Sequence, residues 1–227
     1  MEQSTERHPH TGDWLREIVF GMNDGLVTTM VFLMAVSGIA STHLLIVMLG
    51  EVLAGGVSMA LGGYLSARTQ QEVLAKRIAT EQYEIQNEPD EERAELRAIY
   101  RQKGLSGPLL DRVVEHLTAD EHRWHQAMVH DELGVVDEQH ISPWRQGLQI
   151  GLSFIIGGLI PTVPVLLALP QTRWWAYGFT ALAALLLGAL KARYTNKGPV
   201  RSGLEFLVVV TIGTLAGVGI GWLLHAG

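Results

Sequence analysis

The chain contains no cysteine, which excludes disulfides and thiolate-held metal sites alike. Its first 17 residues are polar and hold no apolar core, so no cleavable signal peptide is expected. Proline and glycine are missing between Tyr64 and Gln86, so nothing in that stretch breaks a helix. Charge is scarce outside one window. Residues 68–143 hold 16 of the 23 acidic and 9 of the 17 basic residues, a local excess of seven negative charges. The rest is mostly long apolar runs. Hydrophobic residues make up 48% of the 227, and the mean hydropathy is +0.19. This reads as an all-α membrane protein carrying one acidic, water-exposed insert.

Five runs approach or exceed the length that spans a bilayer: Ile18–Ala40, Leu44–Leu65, Gly147–Leu169, Trp174–Leu190 and Leu204–Leu224. The fourth is the shortest and can be extended by snorkelling of Lys191 and Arg193. The distribution of Arg and Lys orients them. Ser41–Thr42–His43, read as a short turn, and the C-terminal tail carry none, and Pro170–Arg173 carries only Arg173. Arg7 and Arg16 lie at the N-terminus, and Lys191, Arg193, Lys197 and Arg201 follow span four. The expected topology therefore starts in the cytoplasm, places 68–143 there and ends outside, in the cell membrane. Three regions follow: 1–67 with spans one and two, 68–143, and 144–227 with spans three to five.

Within the insert, the helix of span two is expected to run on to about Gln86, rigidly joined, and Asn87–Pro89 to break it. "DEERAELRAIYRQ" forms a second helix ended by Gly104, and a third starts near Pro108. The last opens on Thr118-Ala-Asp-Glu121, the spacing of a reciprocal capping box, and stops at Gly134. Glu81 and Glu84 are three apart, as are Glu92 and Glu95, so each pair points two carboxylates the same way. Glu121, His125, Met128 and Glu132 share one face of the last helix. Carboxylate, imidazole and thioether together suit a divalent transition metal better than Mg²⁺ or Ca²⁺. Each feature alone has a plain reading: solvated glutamates, a core methionine, and a surface His122.

Ionisable groups inside spans are functional candidates. Asp24 lies six residues into span one, roughly 9 Å deep, and Glu51 seven residues into span two. Met59, eight residues further on, reaches roughly the depth of Asp24 and lies about 80° around the helix from Glu51. The three form a two-level ladder. The alternatives are that Asp24 caps a helix at "NDG", that Glu51 partners a hydroxyl, and that Met59 merely packs. Glu205, beside Arg201, reads as an interfacial ion pair. Small residues from Ala54 to Gly63 favour close helix packing, and Pro161 and Pro164 free carbonyls that must line protein or water. One carboxylate and one thioether do not complete a six-coordinate ion, so a symmetric dimer doubling Asp24 and Met59 is expected.

"NDGLVTTMVFLMAVSGIA", "GEVLAGGVSMALGGYLSARTQQEV", the acidic insert ending in "DELGV", and "GGLIPTVPVLL" resemble the vacuolar iron transporter family, over about residues 14 to 224. The resemblance implies a five-span homodimer with a path between the two copies of span one and a cytoplasmic metal-binding helical bundle. It also implies export of Fe²⁺ and related ions from the cytosol in exchange for protons, with Mn²⁺, Zn²⁺ and Co²⁺ as further candidates. Matched residue by residue, the transport positions are Asp24, Glu51 and Met59, and the insert ligands Glu81, Glu84, Glu92, Glu95, Met128 and Glu132. Two departures stand out: Gly63, where many members carry an acid, and Val129 after Met128, where plant-type members have paired methionines.

Two other function classes compete. A membrane-anchored di-iron oxidase needs Glu-x-x-His on two helices, and the nearest match is Glu121-x-x-x-His125. A storage or sensor protein needs no acid inside the spans, which Asp24 and Glu51 argue against. A secondary transporter, not an enzyme, is expected, with lipid, protons and divalent ions as partners and no nucleic acid.

Overall fold

The computed structural model describes residues 11–36, 41–134 and 142–225. They form eight helices and, among the described residues, no strand: α1 Thr11–Ala35, α2 Ser41–Asn87, α3 Pro89–Gln102, α4 Gly107–Thr118, α5 Glu121–Asp131, α6 Pro143–Leu166, α7 Thr172–Ala192 and α8 Pro199–His225. Five of these, α1, α2, α6, α7 and α8, are long and apolar enough to cross a membrane. The chain divides into two compact units, residues 1–67 with 142–227, and Arg68–Ile141. Helix α2 is continuous through both sets of residues, because no proline or glycine follows Gly63 until Pro89.

In the first unit α1 is the central helix. Its glycines let backbones touch: a Cβ on Gly21 would meet the Ile150 carbonyl and one on Gly25 the Phe154 carbonyl, both in α6. Gly157 of α6 returns the contact against Met22, and Gly217 of α8 sits on Val31. Glycine-mediated approach is how spanning helices gain contacts that lipid cannot supply. Leu26 is fully buried among Ala184, Leu187, Phe206 and Val210, while Met30, Leu33 and Met34 pack with Met48 and Ala176. Outward from α2 stand Ile46, Leu53, Val57, Leu61 and Leu65, each more than half exposed. Such a surface is tolerable only against lipid or another helix.

Three expectations need correcting. Ser41–His43 are not a turn but the first residues of α2, and the connection falls on 37–40, outside the described residues. Span one begins earlier than Ile18: its apolar helix extends from Trp14 to Ala35, the expected last residues again lying outside those described. The third correction concerns α5. Thr118 is the last residue of α4, and the N-cap is Asp120, whose carboxylate accepts the Arg123 backbone N–H at 2.8 Å. A carboxylate suits the positive end of a helix, and Thr118 itself belongs to the preceding helix.

The second unit has its own core of Ile85, Leu96, Trp124 and Met128. Pro89 and three acids occupy the first turn of α3, and Gly104, at φ +96°, ends the segment. Arg97 pairs with Asp111 to join α3 to α4, and Lys103 pairs with Asp131 to join α3 to α5. Removing the cap by Asp120→Ala is expected to cost α5 about 1 kcal/mol. Hydrogen exchange of its first-turn amides should accelerate about fivefold while the amides of α3 stay as they were.

Candidate functional site

Asp24 lies ten residues beyond Trp14, about 15 Å along the helix axis. It is therefore deeper than the sequence suggests. It stands in the interior of α1, which starts at Thr11, so a helix-capping role is overturned. Its Oδ1 lies 3.5 Å from the Thr28 hydroxyl, which donates to it. Glu51 of α2 accepts a 3.0 Å hydrogen bond from the buried Thr29 hydroxyl. The expected alternative, a hydroxyl partner for Glu51, thus exists. A threonine partner still leaves a carboxylate oxygen for another ligand. Because Thr29 is five residues beyond Asp24, Glu51 sits about 7.5 Å further along α1. Met59 is half-buried, eight residues further along α2.

Glycines make this proximity possible. Gly158 of α6 lies beneath both Thr29 and Val52, where a Cβ would be 2.8 Å from the Thr29 hydroxyl. Gly55 packs on the Phe154 ring, and Gly147 and Gly151 bring α6 onto the backbone of α2 at Ala60 and Gly56. Gly63, one of the two departures, abuts Gly147 and Ile150, with a Cβ position 2.9 to 3.1 Å from them. A side chain at that position presses on the end of Ile150 and on the Gly147 backbone, so a carboxylate there requires both to shift. Pro161 and Pro164 are fully buried in protein, and α6 continues through both.

One acid escaped the sequence reading. Glu17 is only 3% exposed and lies seven residues before Asp24, on the same face of α1. The signal is present in that spacing, but the residue sits at the edge of the polar N-terminal segment and reads as part of it. Glu205 is held by Lys197 at 3.2 Å, Lys191 at 3.8 Å and Arg201 at 3.9 Å, a fuller cluster than the single ion pair expected.

In the second unit, Glu81 of α2, Glu92 of α3 and Glu132 at the end of α5 offer oxygens that all lie within 4.8 Å of one another. Glu81 and Glu92 are buried, and Glu81 Oε1 and Glu92 Oε2 are enclosed without a hydrogen-bond partner. Burial, then the charges of Glu132 and Glu92, push Glu81 up to about 8. Burial also raises Glu92, an effect partly offset by the proton on Glu81 and reinforced by the charges of Glu95 and Glu84. Glu132 is raised by burial and by Glu95. Three carboxylates this close keep a proton among them at neutral pH unless a cation takes its place.

Of the six expected insert ligands, then, three converge, and Glu84 and Glu95 lie near enough for their charges to act on them. Met128 is fully buried beside Leu96 and Trp124. The mixed face of α5 does not act as one set: Glu121 accepts from Gln86 at 2.6 Å, and His125 Nε2 lies 3.2 Å from the Ile78 carbonyl oxygen. With that imidazole engaged by backbone, the arrangement does not favour a ferritin-like di-iron centre. Next to Glu132, burial opposes the charge of Asp131, but Lys103, His130 and Tyr100 outweigh it and hold that carboxyl at about 2.

The sequence matches a known family over most of its length. A model of the VIT family matches residues 15–222. Vacuolar iron transporter 1 of Tulipa gesneriana is 30% identical over 220 residues, 95% of this chain and 89% of that protein. Vacuolar iron transporter 1 of Oryza sativa subsp. japonica is 31% identical over 218 residues, 94% of this chain and 86% of that protein. The Arabidopsis thaliana protein of the same name is 29% identical over 221 residues, covering 95% and 88%. With five spanning helices and a match that runs from the start of α1 nearly to the end of α8, the chain belongs to the VIT family.

Proposed function

We propose that this protein is a homodimeric secondary transporter that exports Fe²⁺, and with it Mn²⁺ and other divalent transition metals, from the cytosol in exchange for protons. One observation carries the reading beyond family membership: two carboxylates, Asp24 and Glu51, lie inside helices long and apolar enough to span a membrane, and both accept from successive hydroxyls of α1, Thr28 and Thr29. Intramembrane acids are expensive and persist where an ion or proton moves. The relatives' names supply the ion, iron. Metal binding to a carboxylate displaces its proton, so counter-transport follows from the ligands. Asp24 and Met59, doubled across the dimer, form the inner level, and Glu51 the outer. Glu17 extends the same face toward the N-terminal end of α1.

Residues 68–143 face the cytosol in this reading. The Glu81–Glu92–Glu132 cluster takes an ion there, with Glu84 and Glu95 adding negative potential and Met128 a soft neighbour. Collection at an acidic surface raises the local ion concentration at the entrance. The test is flux into proteoliposomes that enclose one metal-quenched dye and one pH dye. Fe²⁺ entry accompanied by opposite proton movement is the expected result. Binding without entry would point to a storage or sensor protein, and dioxygen consumption with ferric product to an oxidase.

Met59→Leu conserves volume and removes the soft donor. The same liposomes are expected to lose most of their preference for Fe²⁺ over Mg²⁺, by roughly tenfold, equivalent to about 1.4 kcal/mol. Unchanged competition curves would leave Met59 a packing residue.

A further inference from the structure

The cavity bounded by the N-terminal half of α1, the end of α7 and the start of α8 takes no part in the path described above. Its volume is about 780 Å³, and Leu15, Val19, Phe20, Phe206 and Val209 supply apolar wall. A second apolar groove, formed by Val200, Leu204 and Val208, meets it at Glu205. The rim is cationic. Among the residues lining the two spaces Arg16, Lys191 and Arg201 are basic and Glu205 alone is acidic. Lys197 reaches Glu205 as well, so the one carboxylate is already over-matched by positive charge.

This combination is a poor fit to the protein's own cargo, because a divalent cation is repelled by the rim and finds no paired carboxylates. It is also a poor fit to a free anion, which has no use for two apolar tracks. It matches a molecule with a negative head and two hydrocarbon chains. Basic pockets between spanning helices, at the depth where the apolar run gives way to charge, are places where anionic headgroups settle. The depth is marked independently. Trp14 packs edge-on against Tyr194 at 5.8 Å and 83°, an aromatic pair of the kind found at headgroup level. The Lys191 ammonium lies 5.3 Å from the centre of the Phe206 ring and 3.8 Å from the Glu205 carboxylate, so it stands where the apolar wall meets the charged rim.

We infer that this cavity binds one anionic phospholipid drawn from the surrounding bilayer, its phosphate held by Arg16 and Lys191 and its chains lying along the two apolar tracks. The lipid bridges α1 to α7 and α8. Since α1 also carries Asp24, the bound lipid braces the helix that bears the intramembrane acid. The inference needs only a membrane-embedded chain and does not depend on which ion is carried.

The test uses the full chain purified in neutral detergent, with bound lipid counted by native mass spectrometry and the melting midpoint followed in parallel. Phosphatidylglycerol, phosphatidylcholine and inorganic phosphate are the three probes. One phosphatidylglycerol per chain is expected at a concentration at least tenfold below that needed for phosphatidylcholine. The midpoint should rise only with the former, since a ligand that binds the folded state alone stabilises it. Arg16→Ala with Lys191→Ala should abolish the preference. Val209→Trp, which fills the cavity and keeps every charge, should abolish it too, so the result does not hang on one variant folding. Equal retention of the two lipids by the unaltered protein, or full preference in the Val209→Trp protein, overturns the assignment. Competition by millimolar inorganic phosphate overturns it as well, since the site would then be for a free anion.

Discussion

Replacing Asp24 by Asn is expected to abolish metal flux while leaving the assembled protein intact. The substitution is nearly isosteric, and it removes a charge from the interior of α1, so insertion should be as good or better. Asp24 accepts from Thr28, and an amide oxygen can accept the same hydrogen bond. What an amide cannot do is exchange a proton for a metal ion at neutral pH. Loss of a partner that only orients a metal ligand commonly costs 10–100-fold, and loss of the ligand itself is expected to cost at least the upper end. Asp24→Glu keeps the charge and adds one methylene, and should retain measurable flux. A capping role would predict the opposite order, because Asn caps well and Glu does not. The location of Asp24 thirteen residues after Thr11 has removed that role. The measurement is Fe²⁺ entry into proteoliposomes at matched protein content. Full flux from the Asn protein would show that Asp24 is not a transport ligand.

How far the sequence could be read depends on what kind of signal each feature left. Long apolar runs are a strong signal, because a bilayer sets a minimum length and every backbone group must bond internally. The five spans were therefore legible. Their ends were not. Hydropathy falls gradually at Trp14 and at 37–43, and whether Ser41 opens a helix or closes a turn depends on packing that no local pattern encodes. The capping box at Thr118 shows the same weakness in miniature. Thr118-x-x-Glu121 and Asp120-x-x-Arg123 overlap, and only the length of α4 decides between them.

The acidic pairs teach a different lesson. Spacing of three identified Glu81 with Glu84 and Glu92 with Glu95 as pairs on their own helices. The structure instead groups one acid from each helix, Glu81, Glu92 and Glu132. Periodicity reports which residues share a face of one helix, and says nothing about which faces meet. Glu17 was missed for a related reason: its burial depends on what packs over the first turns of α1, and the surrounding sequence is polar. In α5 the face of Glu121, His125, Met128 and Glu132 was real, but each residue is committed to a different neighbour.

The convergence of the three glutamates gives the second large expected effect. With no cation present, the proton on Glu81 is retained up to about pH 8. An ion entering the cluster must displace it. Apparent affinity should therefore rise with pH, about tenfold per unit between roughly pH 6 and 8, and level off above that as Glu81 ionises unaided. Without metal the stability trend has the opposite sign. A folded-state value raised above the ordinary 4.5 means the unfolded chain releases this proton first. Glu81's contribution is thus fully present below about pH 4.5 and is lost as pH rises through about 8. Metal should rescue stability most where the free protein is weakest, at the alkaline end. The measurement is Mn²⁺ titration calorimetry in buffers of different ionisation enthalpy, which counts the protons released, on an Asp24→Asn, Glu51→Gln background that removes both transport carboxylates. About one proton per ion is expected at pH 7. Glu81→Gln should bind at least tenfold more weakly and release close to none, whereas Glu115→Gln, on α4 and outside the cluster, should behave as the parent does. An unchanged proton count in the Glu81→Gln protein would place the bound ion somewhere other than these three carboxylates.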